Sequence, residues 1–187
     1  MREALLDDIR ARILICVKCP LHRSRTHAVP GEGSCDAEVM FVGEAPGQHE
    51  DAQGRPFVGA AGQLLNQMLE GIGLRRADVF ITNVVKCRPQ GNRDPNPGEV
   101  ETCTEEYLFA QIALIEPKIV CALGRFAMGV LIDPHLSITA AHGTVYRKSG
   151  ILHLPIIHPA AVLHSERNRL LLEHDFQKLK AVLKGEA

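Results

Sequence analysis

The run Glu38-Val39-Met40-Phe41-Val42-Gly43-Glu44-Ala45-Pro46-Gly47 decides the architecture. A short β-rich apolar stretch passes abruptly into a Gly- and Pro-bearing turn, which reads as a strand ending in a loop. Three further runs have the same form: Val79–Val85, Ile119–Leu123 and Leu152–Ile157. Between and around them lie segments with helical spacing, at Ala4–Ile15, Ala60–Ile72, Glu99–Ile115, Arg125–Leu131 and Glu166–Leu183. Strands separated by helices predict an α/β fold. The expected form is a single three-layer α/β/α domain spanning residues 1–187, with a central, mainly parallel four-stranded sheet.

Composition agrees with one core. At 187 residues and 45% hydrophobic content, a second independent domain is not expected. Net charge is −1, so the chain lacks the basic balance of a protein that coats nucleic acid. Basic residues do gather near turns, as at Lys86, Arg88 and Arg93 or at Arg167 and Arg169, where they form either a small contact patch or ordinary solvated surface. No stretch approaches the 18 or so apolar residues of a membrane span. The N-terminus MREALLDDIRAR is amphipathic and acidic and lacks the features of a signal peptide. A cytoplasmic, monomeric protein without membrane contact is expected.

Six cysteines in a reducing compartment point to metal ligation or burial before disulfides. Cys16 and Cys19 form a CxxC, while Cys87 and Cys103 stand far downstream beside a turn and a helix start. Four thiolates can close a metal site that ties the N-terminal segment, around 16–19, to the middle of the chain, around 87–103. Spacing alone does not separate zinc from iron-sulfur. Cys121 lies in an apolar run and reads as core, and Cys35 has no evident partner.

The strand ends carry the candidate chemistry. In an open parallel sheet, ligands bind beyond the carboxyl ends of the strands. Glu44, Asn83 and His158 each follow such an end and should meet in one cleft, with Phe57 in the same loop system as Glu44. Each alone is weak, since a Glu in a Gly-Pro loop is usually solvated and an Asn at a strand end often caps a turn. Together they suggest a stacking face, an amide and an imidazole, which is how a flipped nucleobase is held.

These blocks resemble a known family. Gly43-Glu44-Ala45-Pro46-Gly47, Glu50-Asp51 and Gly54-Arg55-Pro56-Phe57-Val58-Gly59 are similar to the first motif of family 4 uracil-DNA glycosylases. The likeness continues through Thr82-Asn83-Val84-Val85-Lys86-Cys87-Arg88-Pro89, Leu123-Gly124-Arg125 and His158-Pro159-Ala160-Ala161, in order and over nearly the whole chain. The resemblance implies a repair enzyme that hydrolyses the N-glycosidic bond of uracil in single- or double-stranded DNA. It also implies a [4Fe-4S] cluster on Cys16, Cys19, Cys87 and Cys103. Phe57 would stack on uracil, Asn83 would read its Watson-Crick edge, and His158 would donate to O2 of the leaving base. Glu44 would position water or hold the sugar, while Gly43, Ala45 and Glu50 would line the pocket. Leu163, in the turn after His158, would be the wedge that fills the vacated stack.

Some positions depart from related patterns. In another branch whose first motif reads Gly-Gln-Asp-Pro-Tyr, Ala45 takes the slot of the water-activating Asp and Gly47 that of the thymine-excluding Tyr, so both tasks pass to Glu44 and Glu50. His142 and His164 stand where Arg is common. The loop Gln90–Pro97 lacks the Lys-Arg-Arg-Ile-His insertion of a covalently trapping branch. Two rivals remain open at this level: a binding module for uracil or damaged bases in DNA without hydrolysis, and a zinc-stabilised nucleotide or nucleoside hydrolase.

Overall fold

The computed structural model describes residues 1–186. In chain order the regular elements are α1 (Arg2–Leu14), β1 (Glu32–Gly33), β2 (Val39–Gly43), α2 (Gln48–Gln53), α3 (Ala60–Gly71) and β3 (Phe80–Asn83). There follow α4 (Pro97–Cys103), α5 (Phe109–Ile115), β4 (Ile119–Leu123), α6 (Gly124–Leu131), α7 (Ile138–Ala141), β5 (Tyr146–Lys148), β6 (Ile151–Ile156) and α8 (Glu166–Leu183).

The sheet has six strands, in the order β1-β3-β2-β4-β6-β5. The expected four strands are its parallel centre, and the count is corrected by two short antiparallel edges, β1 on β3 and β5 on β6. Neither edge could carry an apolar run: one is two residues long, and the other is the polar Tyr-Arg-Lys. Such short, charged edges also discourage pairing with other chains.

Alternation along the central strands separates two cores. Met40 and Val42 face one side with Phe80, Val120 and Ala122, covered by Ile13 of α1, Ile112 and Ile115 of α5 and Met128 of α6. Val39 and Phe41 face the other side with Ile81, Cys121, Leu154 and Ile156, covered by Leu65 and Leu69 of α3 and Leu172, Phe176 and Leu179 of α8. This produces the three layers. Phe41 stacks on Phe176 with ring centroids 5.8 Å apart and planes 9° from parallel. Truncating a buried aromatic of this kind to Ala costs about 3–5 kcal/mol.

The helix expected over 99–115 runs from 97, and its middle turn, Thr104–Leu108, is a π-helix starting immediately after Cys103. Pro97 at the first position and Glu99, whose carboxylate accepts from Asn96 N–H at 2.8 Å, set its start. The strand expected over 79–85 closes at Asn83, yet Val84 N–H still donates to Gly43 O (2.9 Å) and Val85 N–H to Glu44 O (3.1 Å). These two bonds hold the turns after β2 and β3 side by side. No helix is long and apolar enough to cross a membrane among the described residues.

Candidate active site

Gly43 and Asn83 are register partners at the ends of adjacent parallel strands, and His158 follows the end of β6. A cavity of about 170 Å³ opens there, walled by Ala45, Gly47, Glu50, Phe57, Ala61, Asn83, His158 and Ala160. That is roughly the volume of six liquid waters, which suits a single small heterocycle. The strand-end rule thus brings together Asn83 and His158 with Phe57, whereas Glu44, expected in the same cleft, is not part of its wall; Ala45 and Glu50, which the resemblance placed in the pocket, line it.

Gly43 lets two of these groups meet. A Cβ at this position would lie 2.4 Å from Asn83 Oδ1 and 2.8 Å from Phe57 Cζ, so only glycine permits the approach. Phe57 is itself in the left-handed region, at φ 49°. This conformation costs a non-glycine residue about 1–2 kcal/mol and is kept only where surrounding contacts impose it. One such contact is Gly62, where a Cβ would fall 1.8 Å from Phe57 O. The close packing of α3 on this loop explains the small residues Gly59-Ala60-Ala61-Gly62.

His158 is fixed by its own loop. Its Nδ1 accepts from Ala160 N–H at 3.0 Å, which leaves the proton of the neutral imidazole on Nε2. Burial pushes its pKa down to about 4 against an opposing attraction from Glu50, so the ring is neutral at neutral pH. A neutral Nε2–H donor therefore stands in the pocket wall, with the Phe57 ring 5.8 Å away centroid to centroid.

The two carboxylates divide. Glu50 lines the cavity, but Oε1 accepts from Val58 N–H (3.0 Å) and Gly59 N–H (3.1 Å), and Oε2 from Gly47 N–H (3.1 Å). It staples both ends of the 47–59 loop. Glu44 is half-buried in the turn after β2, outside the cavity wall, with Asp94 and Arg125 as its charged neighbours. Burial first, and then the charge of Asp94, raise its carboxyl pKa, while Arg125 opposes. Leu163 is 44% exposed, whereas its neighbour Val162 is buried, so Leu163 is free of the core beneath α8.

A family model described as the uracil DNA glycosylase superfamily matches residues 30–184. The chain belongs to that superfamily. It is 48% identical over 182 residues to a protein named type-4 uracil-DNA glycosylase from Archaeoglobus fulgidus, covering 93% of this chain and 91% of the relative. It is 48% identical to a type-4 uracil-DNA glycosylase of Sulfurisphaera tokodaii, covering 94% and 83% of the two chains. With one from Thermotoga maritima the identity is 44%, over 99% and 98%. The family resemblance read from the motifs is therefore borne out.

In this superfamily member a second constellation lies on the opposite core face. Cys16, Cys19, Cys87 and Cys103 all wall one enclosed space, closed by Ile13 and Tyr107. Arg25 Nη1 donates to Cys87 Sγ (3.1 Å), and Lys86 N–H donates to Cys103 Sγ (3.3 Å). Among the described residues, no three His, Cys, Asp or Glu side chains converge as a single bound ion would require. Cys121 is fully buried in β4, and Cys35 is buried away from the four.

Two residues hold the site in ways the sequence did not suggest: Asp175 was not singled out, and Lys86, read as part of a contact patch or solvated surface, is buried because its ammonium is satisfied by three acceptors. Lys86 is 1% exposed, and its Nζ donates to Thr82 Oγ1 (2.6 Å), Asn83 O (2.8 Å) and Gln111 Oε1 (2.7 Å), fixing the backbone that carries Asn83. Asp175 is fully buried. Its Oδ2 accepts from Ile157 N–H (3.0 Å), directly before His158, and its Oδ1 meets His142 Nδ1 at 2.7 Å. Its signal was a carboxylate on the apolar stripe of α8 between Leu172 and Leu179. Lys86 gave no signal beyond its motif.

Proposed function

We propose that this chain is a monofunctional uracil-DNA glycosylase that hydrolyses the C1′–N1 bond of deoxyuridine in DNA, releasing uracil and leaving an abasic site. The observation that carries this reading is the cavity of about 170 Å³ in which a left-handed Phe57, the Asn83 amide and a neutral His158 meet at the strand ends. The relatives' names give the same activity.

The roles follow from bond chemistry. Phe57 offers an aromatic face to the flipped ring. Asn83 provides one donor for uracil O4 and one acceptor for N3–H, the pattern that cytosine reverses. As the C1′–N1 bond breaks, negative charge gathers on the base, and Nε2–H of His158 donates to O2 where it develops. Glu44 sits in the turn beyond β2 with a raised carboxyl pKa, which makes it a better acceptor for a proton of the water that adds to C1′. Glu50 shapes the pocket by gripping three backbone amides. Ala45 and Gly43 keep the approach to the ring open. Leu163, exposed in the turn beyond His158, would enter the duplex in place of the flipped base.

Four cysteine side chains around one enclosed space are a donor set that a four-thiolate cluster uses, and the type-4 relatives and the motif resemblance favour iron-sulfur. Cys16, Cys19, Cys87 and Cys103 would hold a [4Fe-4S] cluster. When bound it would supply a redox-capable crosslink between the N-terminal segment and the 87–103 region, while bond cleavage stays with the strand-end residues. The reading is tested by incubating the protein with an oligonucleotide containing one uracil and assaying for the free base. Free uracil and an alkali-labile strand are expected. Tight binding with no base released would instead mark a recognition module.

A further inference from the structure

The left-handed Phe57 has a support outside the pocket. Arg76 lies just before β3, on the far side of the 55–57 loop, and does not line the base cavity. Its Nη1 donates to Phe57 O (3.1 Å) and to Asn66 Oδ1 of α3 (3.1 Å), and its Nη2 donates to Pro56 O. Its Nε donates to Glu32 Oε1 (2.7 Å), and Glu32 in turn accepts from Arg55 Nε (2.8 Å). One guanidinium thus gathers two consecutive carbonyls, the helix behind them and an edge-strand carboxylate. The side chains of Arg76 and Glu32 are only 20% and 22% exposed, so most of this clasp is buried, with Arg55 closing it from the solvent side.

We propose that Arg76 is a positioning residue for base recognition: by clasping the carbonyls of Pro56 and Phe57 it holds Phe57 in the left-handed conformation that presents its ring to the base. Two considerations carry this. A left-handed non-glycine backbone reverts to a commoner conformation unless it is over-determined, and beside the close approach of Gly62 it is Arg76 that supplies a hydrogen bond to the Phe57 carbonyl. The planar fork of Arg also serves several acceptors at once, which a lysine ammonium on a flexible stem would not reproduce. The proposal rests on the reading that Phe57 stacks on uracil.

A double-mutant cycle tests it. R76M, F57A and the double variant are compared by the inhibition constant of free uracil, the KM for a uracil-bearing oligonucleotide and the saturating single-turnover rate. R76K serves as a second variant that keeps the charge opposite Glu32 if R76M folds poorly. R76M and R76K should each weaken inhibition by free uracil about tenfold and raise KM more than they lower the rate. In the F57A background R76M should have no further effect on uracil inhibition, because the two act through one ring. Equal losses in both backgrounds would show that Arg76 acts elsewhere and would overturn the proposal, as would wild-type inhibition in R76M and R76K. If F57A alone leaves uracil inhibition unchanged, the stacking reading falls and takes this inference with it. Unchanged R76M beside a weakened F57A removes Arg76 alone.

Discussion

Replacing Gly43 by Ala adds one methyl group at the point where the base-reading groups touch. The added Cβ would stand 2.4 Å from Asn83 Oδ1, whereas ordinary contact begins near 3.4 Å. The amide must therefore retreat by about 1 Å, a displacement that costs on the order of 10²-fold in rate when it misplaces a positioning group. The ring is squeezed too, since the same carbon would lie 2.8 Å from Phe57 Cζ. The stability cost should be that of overpacking, about 1–3 kcal/mol. Single-turnover excision of uracil would be measured beside thermal unfolding and the visible absorption of the proposed cluster. The expected result is a folded, cluster-bearing protein whose kcat/KM falls on the order of 10²-fold. A G43A protein with wild-type kcat/KM would refute the close approach of Asn83 and Phe57 over Gly43, and with it the pocket as described.

Other outcomes follow from the same geometry. His158→Ala should lower bond cleavage by a factor on the order of 10²–10³ with DNA affinity nearly unchanged, as for loss of one donor to a developing anion, and quench-flow with parallel binding titrations would check this. The depressed pKa of His158, about 4, also has a pH signature. Between the ordinary histidine value of 6.5 and about 4, the unfolded chain takes up a proton that the folded one refuses. The corresponding stability is present above pH 6.5 and is lost as pH falls toward 4, so His158→Ala should flatten that part of a melting-temperature profile. Replacing Cys16, Cys19, Cys87 or Cys103 by Ala should bleach the cluster and lower the unfolding temperature, whereas Cys35→Ala should do neither, as read by visible absorption and iron content.

How much was legible in the sequence follows from how local each signal is. The four parallel strands were readable because each is a short run of β-favouring apolar residues, and because Met40 and Phe41 feed opposite cores. The edges Glu32–Gly33 and Tyr146–Lys148 were not, since their strand character comes from a neighbour's backbone and not from their own side chains. The π turn after Cys103 leaves no mark in a helical periodicity. Asn83 and His158 were found because strand ends in a parallel sheet must converge, and Phe57 because it is an isolated aromatic in the adjoining loop; Glu44 follows a strand end too but lies outside the cavity wall. The engagement of Glu50 by three backbone amides could not be read, because the loop closes on it only in three dimensions. The same holds for Lys86, whose partner Gln111 is 25 residues away, for Asp175, which meets His142 33 residues away, and for Arg76, which meets Glu32 44 residues away.

The central claim is that Asn83 reads the edge of uracil in the strand-end pocket, and Asn83→Asp tests it most directly. The substitution keeps the shape and the capacity to cap a turn but replaces the donor that faces O4 with a carboxylate oxygen. On oligonucleotides carrying one uracil or one cytosine, the folded, cluster-bearing variant should lose uracil excision steeply, by a factor of up to about 10⁴, with any residual activity shifted toward cytosine. Uracil excision at the wild-type rate by that same protein would contradict the account.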